Sequence, residues 1–247
     1  MLNAQFFTDT GQHREKNEDA GGIFYNQTHQ QLLVLCDGMG GHKAGEVASQ
    51  FVTNQLRDYF ETENFIELDQ AESWLSKTLK DINLELFEYA TTNEEYHGMG
   101  TTCVCALIFD NKIVEANIGD SRAYVINSRE IEQITYDHSF VNHLLMTGQI
   151  TEEEAFNHPQ RNIITKVMGT DRRVSPDIFT KRISYYNYLL LNSDGLSDYV
   201  RNHEIETLMN QSTSLNELGE ALIQAALDHQ SKDNVSVLLA EIEGNNV

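Results

Sequence analysis

Four aspartates sit where an apolar run meets a turn, and their placement asks for a chemical reason. Asp37 ends the run at 32–36 and precedes Gly38 in "LLVLCDGMGGH". Asp120 follows "EANIG", and Asp194 follows "YLLLNS" and precedes Gly195. Asp233 stands at the entrance to "NVSVLLAEI", and Glu18 and Asp19 in "REKNEDA" come just before another hydrophobic segment. A solvated surface carboxylate needs no buried strand to deliver it. Several carboxylates converging on one sheet end repel one another and cannot all stay ionised. A divalent cation relieves that repulsion, and hard oxygen donors without His or Cys point to Mg²⁺ or Mn²⁺ rather than zinc. Glycine after the aspartate lets the backbone turn tightly and bring its own carbonyl near a ligand. Singly, each Asp-Gly reads more often as a turn. Together with the N-terminal pair, the four favour a multi-carboxylate metal site.

Two further side chains could do chemistry beside such a site. Arg14, four residues before Glu18, either pairs with these acids or offers its fork to a phosphate. His42 follows the glycines and precedes a helix, so it is placed either as a general acid or as a residue that caps and packs. Ser121 in "GDSRAY" lacks the G-x-S-x-G setting of a nucleophile and reads as structural. "DGMGG" is followed by no GK[ST], so it is not a phosphate-cradling Walker loop, and no G-x-G-x-x-G precedes it.

The elements that must position these residues can be read from periodicity. Short runs rich in β-formers occur at 4–8, 31–36, 99–109, 112–118, 122–127, 178–183, 187–192 and 234–242. Asp110-Asn111 lies between two of them and predicts a hairpin turn, which sets Asp110 apart from the other run-ending aspartates. Helical spacing runs through Ala44, Val47, Ala48, Phe51, Val52 and Leu56, then over about 66–90, then near 215–229. A strand-rich block between helical blocks, without regular βαβ alternation, predicts antiparallel sheets covered by helices. Residues 138–170 read as a short-helix insertion with a capping box from Thr151 to Glu154.

The chain has 247 residues, with neither a Ser/Gly-rich linker nor a repeat of fixed period, so one domain over 1–247 is the economical reading. Its net charge of −21, from 38 acidic and 17 basic residues, argues against nucleic-acid binding and against a polybasic membrane contact. No run approaches the ~20 apolar residues of a membrane span, and "MLNAQFF" lacks the pattern of a signal peptide. Three cysteines, Cys36, Cys103 and Cys105, in apolar runs fit buried thiols in a reducing compartment. A cytoplasmic protein without membrane insertion is expected.

In order along the chain stand "GQHREKNEDA" (11–20), "LCDGMGGHKAGEVAS" (36–49), "GMGTT" (98–102), "NIGDSRAY" (117–124), "LLLNSDGLSD" (189–198) and "SKDNVSV" (231–237). With these six motifs the chain resembles the metal-dependent serine/threonine protein phosphatases of type two-C in their bacterial form. The resemblance implies an α+β fold, a four-layer αββα sandwich of two antiparallel sheets flanked by helices, with 138–170 as a flap. It implies that Asp37 bridges two Mn²⁺ or Mg²⁺ ions. Asp194 and Asp233 would hold the first, and Glu18 and the Gly38 carbonyl the second. Asp120, assisted by Asp194 or Asp198, would hold a third, weaker one. Arg14 would receive the substrate phosphate. His42 would protonate the leaving group, although the family's eukaryotic members carry that histidine directly after the Asp-Gly, where Met39 stands here. The implied reaction is hydrolysis of phosphoserine and phosphothreonine in proteins by a hydroxide shared between the metals. A partner serine/threonine kinase and a monomeric enzyme are also expected. A non-catalytic phosphoprotein-binding module would show gaps among these positions; another metallohydrolase would prefer a nucleotide or small phosphate ester.

Overall fold

A computed structural model describes residues 1–40 and 44–242. Two antiparallel sheets form its middle. One runs β1-β11-β10-β7-β8, with β1 Asn3–Asp9, β7 Arg122–Ile126, β8 Ile131–Gln133, β10 Tyr188–Asn192 and β11 Val235–Glu241. The other runs β2-β3-β5-β6-β9, with β2 Asp19–Tyr25, β3 Gln31–Met39, β5 Cys103–Ile108, β6 Lys112–Ile118 and β9 Asp177–Arg182; the two-residue β4, Gly100–Thr101, pairs with the end of β3.

Alternation along each strand builds three apolar layers. Leu33 and Leu35 of β3 meet Leu189, Leu191 and Leu238 of the opposite sheet between the two. The other faces of β3 and β5, through Leu32, Val34, Cys105 and Leu107, pack on α1 (Ala44–Glu61) and α2 (Leu68–Thr92). Leu190, Val237 and Leu239 pack on α6 (Asn202–Gln211) and α7 (Leu215–Asp228). Layers therefore run helix, sheet, sheet, helix, and the expected αββα sandwich is what forms. Each fully buried leucine in these layers contributes roughly 1.5–3 kcal/mol. The three cysteines are free and buried in the α1–α2 layer.

Most strand and helix expectations hold, including the hairpin at Asp110-Asn111, closed by Phe109 N–H donating to the Lys112 carbonyl at 2.9 Å. Several elements lie outside them, β2, β8 and α6 among them. β2 begins Asp-Ala-Gly-Gly, a poor strand-former sequence, and exists because β3 pairs with it over seven residues. β8 is three residues long, and α6 carries only two buried residues, Ile205 and Met209, too few to signal a face.

The flap leaves after β8 and carries α3 (Phe140–Met146) and α4 (Glu152–Phe156), the latter opened by the expected Thr151–Glu154 capping box. A Ser139–Ile164 bridge closes its foot. A short helix, α5 (Asp194–Ser197), turns the chain out of β10. No helix among the described residues is long and apolar enough to cross a membrane.

Candidate metal centre and active site

The gap between the sheets opens at one end, and the carboxylates collect there. Register puts Asp19 directly opposite Asp37, so both side chains share the face that carries Leu35 and Leu33 into the inter-sheet layer. From the facing sheet, the Ser193 hydroxyl donates to Asp19 Oδ2 at 2.9 Å and accepts the Ser236 N–H at 3.0 Å. Asp194 follows Ser193 as the first residue of α5.

The Asp37 backbone is pinned rather than free. Its N–H donates to Thr102 Oγ1 at 2.9 Å, and its carbonyl accepts the Thr102 N–H at 2.8 Å and the Thr101 hydroxyl at 2.9 Å. Thr102 in turn shares a 2.7 Å hydrogen bond with Ser121, giving "GMGTT" and the structural reading of Ser121 a common purpose. Gly38 has no room for a side chain: a Cβ would collide with the Gly45 carbonyl and lie 2.6 Å from the Glu18 carbonyl. The end of β3 is thus squeezed between Glu18 and the first turn of α1.

Burial and mutual repulsion dominate the electrostatics. Burial first, then the charges of Asp19, Asp194, Asp233 and Asp120, push Asp37 well above the usual carboxylate range. Burial, then Asp120, Asp198 and Asp233, do the same to Asp194. Burial raises Asp19 to about 6 and, aided by Asp137 and Asp198, Asp120 to about 7. Glu18 is raised by burial while Arg14 pulls it back.

One oxygen on each of Asp19, Asp120 and Asp194 is buried with no hydrogen-bond partner. Orphaned buried oxygens on mutually repelling carboxylates are the donor set that a hard divalent cation satisfies, so the residues fit Mg²⁺ or Mn²⁺. Among the described residues, no three His, Cys, Asp or Glu side chains are already drawn into a closed cage around one point.

The remaining expected residues have distinct places. Arg14 lies on the rim, its Nη2 2.6 Å from Asp233 Oδ2 and its Nε donating to the Lys232 carbonyl at 3.2 Å. Asn234 binds that N-terminal segment to the mouth, accepting the Glu18 N–H at 2.7 Å and donating to the Thr10 and Lys16 carbonyls at 2.8 Å each. Asp198 is engaged by Arg161 of the flap at 3.0 Å. Arg161 also donates to the Phe156 carbonyl, while Arg201 of the body lies 3.5 Å from the centroid of the Phe156 ring. Between flap and body opens a cavity of about 710 Å³ whose lining includes Asp120, Asp194 and Asp198. Arg122 also lines it but is committed to Asp137 by a two-pronged ion pair. His42 lies outside the described residues.

Asp19 stands beside Glu18 before the same hydrophobic segment, but the resemblance implies a ligand role for Glu18 alone. The structure places Asp19 deeper in the cluster than Glu18. The cross-strand signal that would have found it required β2, which the sequence hides.

Residues 11–239 match the family model described as protein phosphatase 2C. The serine/threonine phosphatase stp of Listeria monocytogenes is 39% identical over 241 residues, which span 97% of this chain and 96% of that protein. A crystal structure of the serine/threonine phosphatase Stp1 from Staphylococcus aureus superposes with a TM-score of 0.97 at 70% identity, covering 99% of this chain and 96% of that one. The catalytic domain of the serine/threonine protein phosphatase PstP, crystallised with two manganese ions, superposes with a TM-score of 0.83 at 33% identity over 97% of each chain. With a family model matched over nearly the whole chain and the same sandwich in the solved relatives, this chain belongs to the protein phosphatase 2C family of serine/threonine phosphatases.

Proposed function

We propose that the chain hydrolyses phosphoserine and phosphothreonine in proteins with two divalent cations, Mn²⁺ or Mg²⁺, held at the mouth of the sandwich, and a third beside Asp120. The observation that carries the proposal is the convergence of Asp37, Asp194, Asp19 and Asp120, from four separate chain segments, on one mouth, the last three each with an orphaned buried oxygen. Asp37 would serve both principal ions, Asp194 and Asp233 the first, and Glu18 with the Gly38 carbonyl the second. Asp120, with Asp194 or Asp198, would serve the third. When bound, such ions supply a hydroxide equivalent near neutral pH and offset phosphoryl charge.

The rest is work for the chain's own groups. Arg14 sits on the rim with part of its guanidinium free of Asp233 and orients the phosphoryl oxygens. His42 donates a proton to the departing serine or threonine oxygen, a contribution of about 10²–10⁴-fold. The backbone clasp from Thr101 and Thr102 holds Asp37 against the repulsion of its neighbours. The whole of 1–247 acts as one catalytic domain, monomeric, opposing a serine/threonine kinase. Free buried cysteines fit the reducing cytoplasm we assign it.

The test is turnover of a phosphothreonine peptide, ATP and p-nitrophenyl phosphate with and without Mn²⁺, Mg²⁺ and EDTA. Metal-dependent turnover favouring the peptide over ATP is expected; undiminished turnover in EDTA would overturn the reading. His42→Ala should lose far more activity on the peptide than on p-nitrophenyl phosphate, whose leaving group needs little protonation. Equal losses would remove His42 from acid catalysis.

A further inference from the structure

Asp120 poses a problem that the metal reading leaves open. It is 6% exposed, one of its oxygens has no partner, and among the described residues no other side chain hydrogen-bonds its carboxylate. Its direction is therefore set by the backbone corner at Gly119-Asp120, where Gly119 adopts φ +113°. The question is what holds that corner.

A single residue grips it from both sides, once through its ring and once through its backbone. The Gly119 N–H donates to His138 Nδ1 at 2.9 Å, and the backbone N–H of His138 donates to the Gly119 carbonyl at 2.9 Å. Because Nδ1 accepts, its lone pair faces Gly119 and the ring proton of the neutral imidazole sits on Nε2. Nε2 faces Asp177 Oδ2 at 3.2 Å, at the start of β9. Lys166 Nζ lies 2.9 Å from Asp177 Oδ1 and 2.9 Å from the same Nε2, and donates to the Ser175 carbonyl at 3.2 Å. The ring is thus fixed at both nitrogens, at one end to the corner and at the other to an ion pair.

His138 is also the foot of the flap. Ser139, the residue after it, caps α3, and the His138 carbonyl accepts the Thr165 N–H at 2.7 Å where the flap returns. One residue therefore joins the Asp120 corner, both ends of the flap and the edge strand β9.

We propose that His138 is a positioning residue: its Nδ1–Gly119 clasp, braced by Asp177 and Lys166, sets where Asp120 presents its carboxylate to a divalent cation. The inference rests on the metal reading given above. Without the acceptor at Nδ1, the corner relaxes and Asp120 loses its aim, whereas Asp37, held by Thr101 and Thr102, keeps its own.

Three substitutions separate this role from bulk packing. In His138→Asn, the amide Oδ1 takes the place of Nδ1 and accepts the Gly119 N–H without reaching Asp177. His138→Gln reaches towards Asp177 and leaves Gly119 unserved. His138→Ala does neither. Asp120→Asn identifies which Mn²⁺ ions depend on that carboxylate. The measurements are Mn²⁺ stoichiometry and affinity by titration calorimetry, free Mn²⁺ by electron paramagnetic resonance, and thermal unfolding in EDTA. We expect Ala and Gln to weaken the Asp120-dependent Mn²⁺ about tenfold, the scale of an outer-shell loss, and to leave the other ions unchanged. Asn should recover most of the difference.

Unaltered Mn²⁺ binding in His138→Ala would overturn the inference. So would Asn and Gln behaving alike, or all three variants losing fold and every ion together, which is what a merely structural histidine gives. If the wild type itself binds no Mn²⁺ and shows no metal-dependent turnover, the metal reading has failed rather than the assignment of His138.

Discussion

Two kinds of desolvated carboxylate lie in the layer between the sheets and at its mouth. At the mouth, Asp19, Asp37 and Asp194 stand together with Asp120. Further inside, Glu115 of β6 lies alone, paired across the sheet with Ala106 and Phe179, on the face that carries Ile113 into the same layer. Both Glu115 oxygens are buried without a hydrogen-bond partner. Burial raises its pKa well above the usual range, with only smaller contributions from Cys105 and Asp177. A lone carboxyl removes its conflict by keeping its proton. A crowd of carboxyls can instead share a cation, and only the crowd lies beside a cavity and an arginine. The difference teaches that burial and a raised pKa do not mark a site; convergence does.

The largest expected effect tests the crowd. Asp37→Asn should abolish metal-dependent turnover, with a loss of at least ~10²–10³-fold, the scale of removing one preorganised electrostatic group. Calorimetry should show loss of Mn²⁺ at the same time, and a near-wild-type rate would break the comparison. Next comes Gly38→Ala, which drives a Cβ into the Gly45 carbonyl. It should cost about 1–3 kcal/mol in denaturant unfolding and lower activity through displacement of Asp37 and Glu18.

A pH series in EDTA should then separate the two kinds of carboxylate. An acid whose folded pKa is raised binds its proton more tightly in the folded state. Its contribution is therefore full below the unfolded pKa and is lost as pH rises through the folded one. For Asp19, raised from 3.8 to about 6, and Asp120, raised from 3.8 to about 7, the loss falls between about pH 4 and 7. The melting temperature in EDTA should fall across that window, and saturating Mn²⁺ should flatten the fall. A melting temperature that rises with pH in EDTA would contradict the cluster. The smallest effect belongs to Glu115→Gln: turnover and Mn²⁺ affinity unchanged, with a shallower pH slope of stability that Mn²⁺ does not touch. A large loss of activity would mean that the lone carboxyl belongs with the crowd.

How far the fold could be read differs from element to element. α1, α2 and α7 announce themselves because long apolar stripes at helical spacing need no partner to be recognised. β5 and β6 likewise show as continuous β-rich runs joined at Asp110-Asn111. β2 is silent, because two glycines carry no pattern and its strand character is conferred by pairing with β3. That silence hid the position of Asp19, whose place opposite Asp37 follows only from the β2–β3 register. His138 was equally invisible. Between Asp137 and Ser139 nothing in the sequence shows that its ring reaches back nineteen residues to Gly119.

The sequence by itself determined which residues were available for chemistry: aspartates set at the ends of apolar runs, glycines where the chain had to turn or pass close, and too few basic groups for a nucleic-acid surface. It determined the layers as well, because period 2 and period 3.6 are local signals. Only the tertiary structure decided which carboxylates meet, since Asp19, Asp37, Asp120, Asp194 and Asp233 lie on segments far apart in the chain and share one mouth through strand register and sheet packing. It also decided that Glu115 stays apart from them. The physical reason is that repulsion, desolvation and ligand geometry act over a few ångströms in space, a distance that sequence separation does not encode.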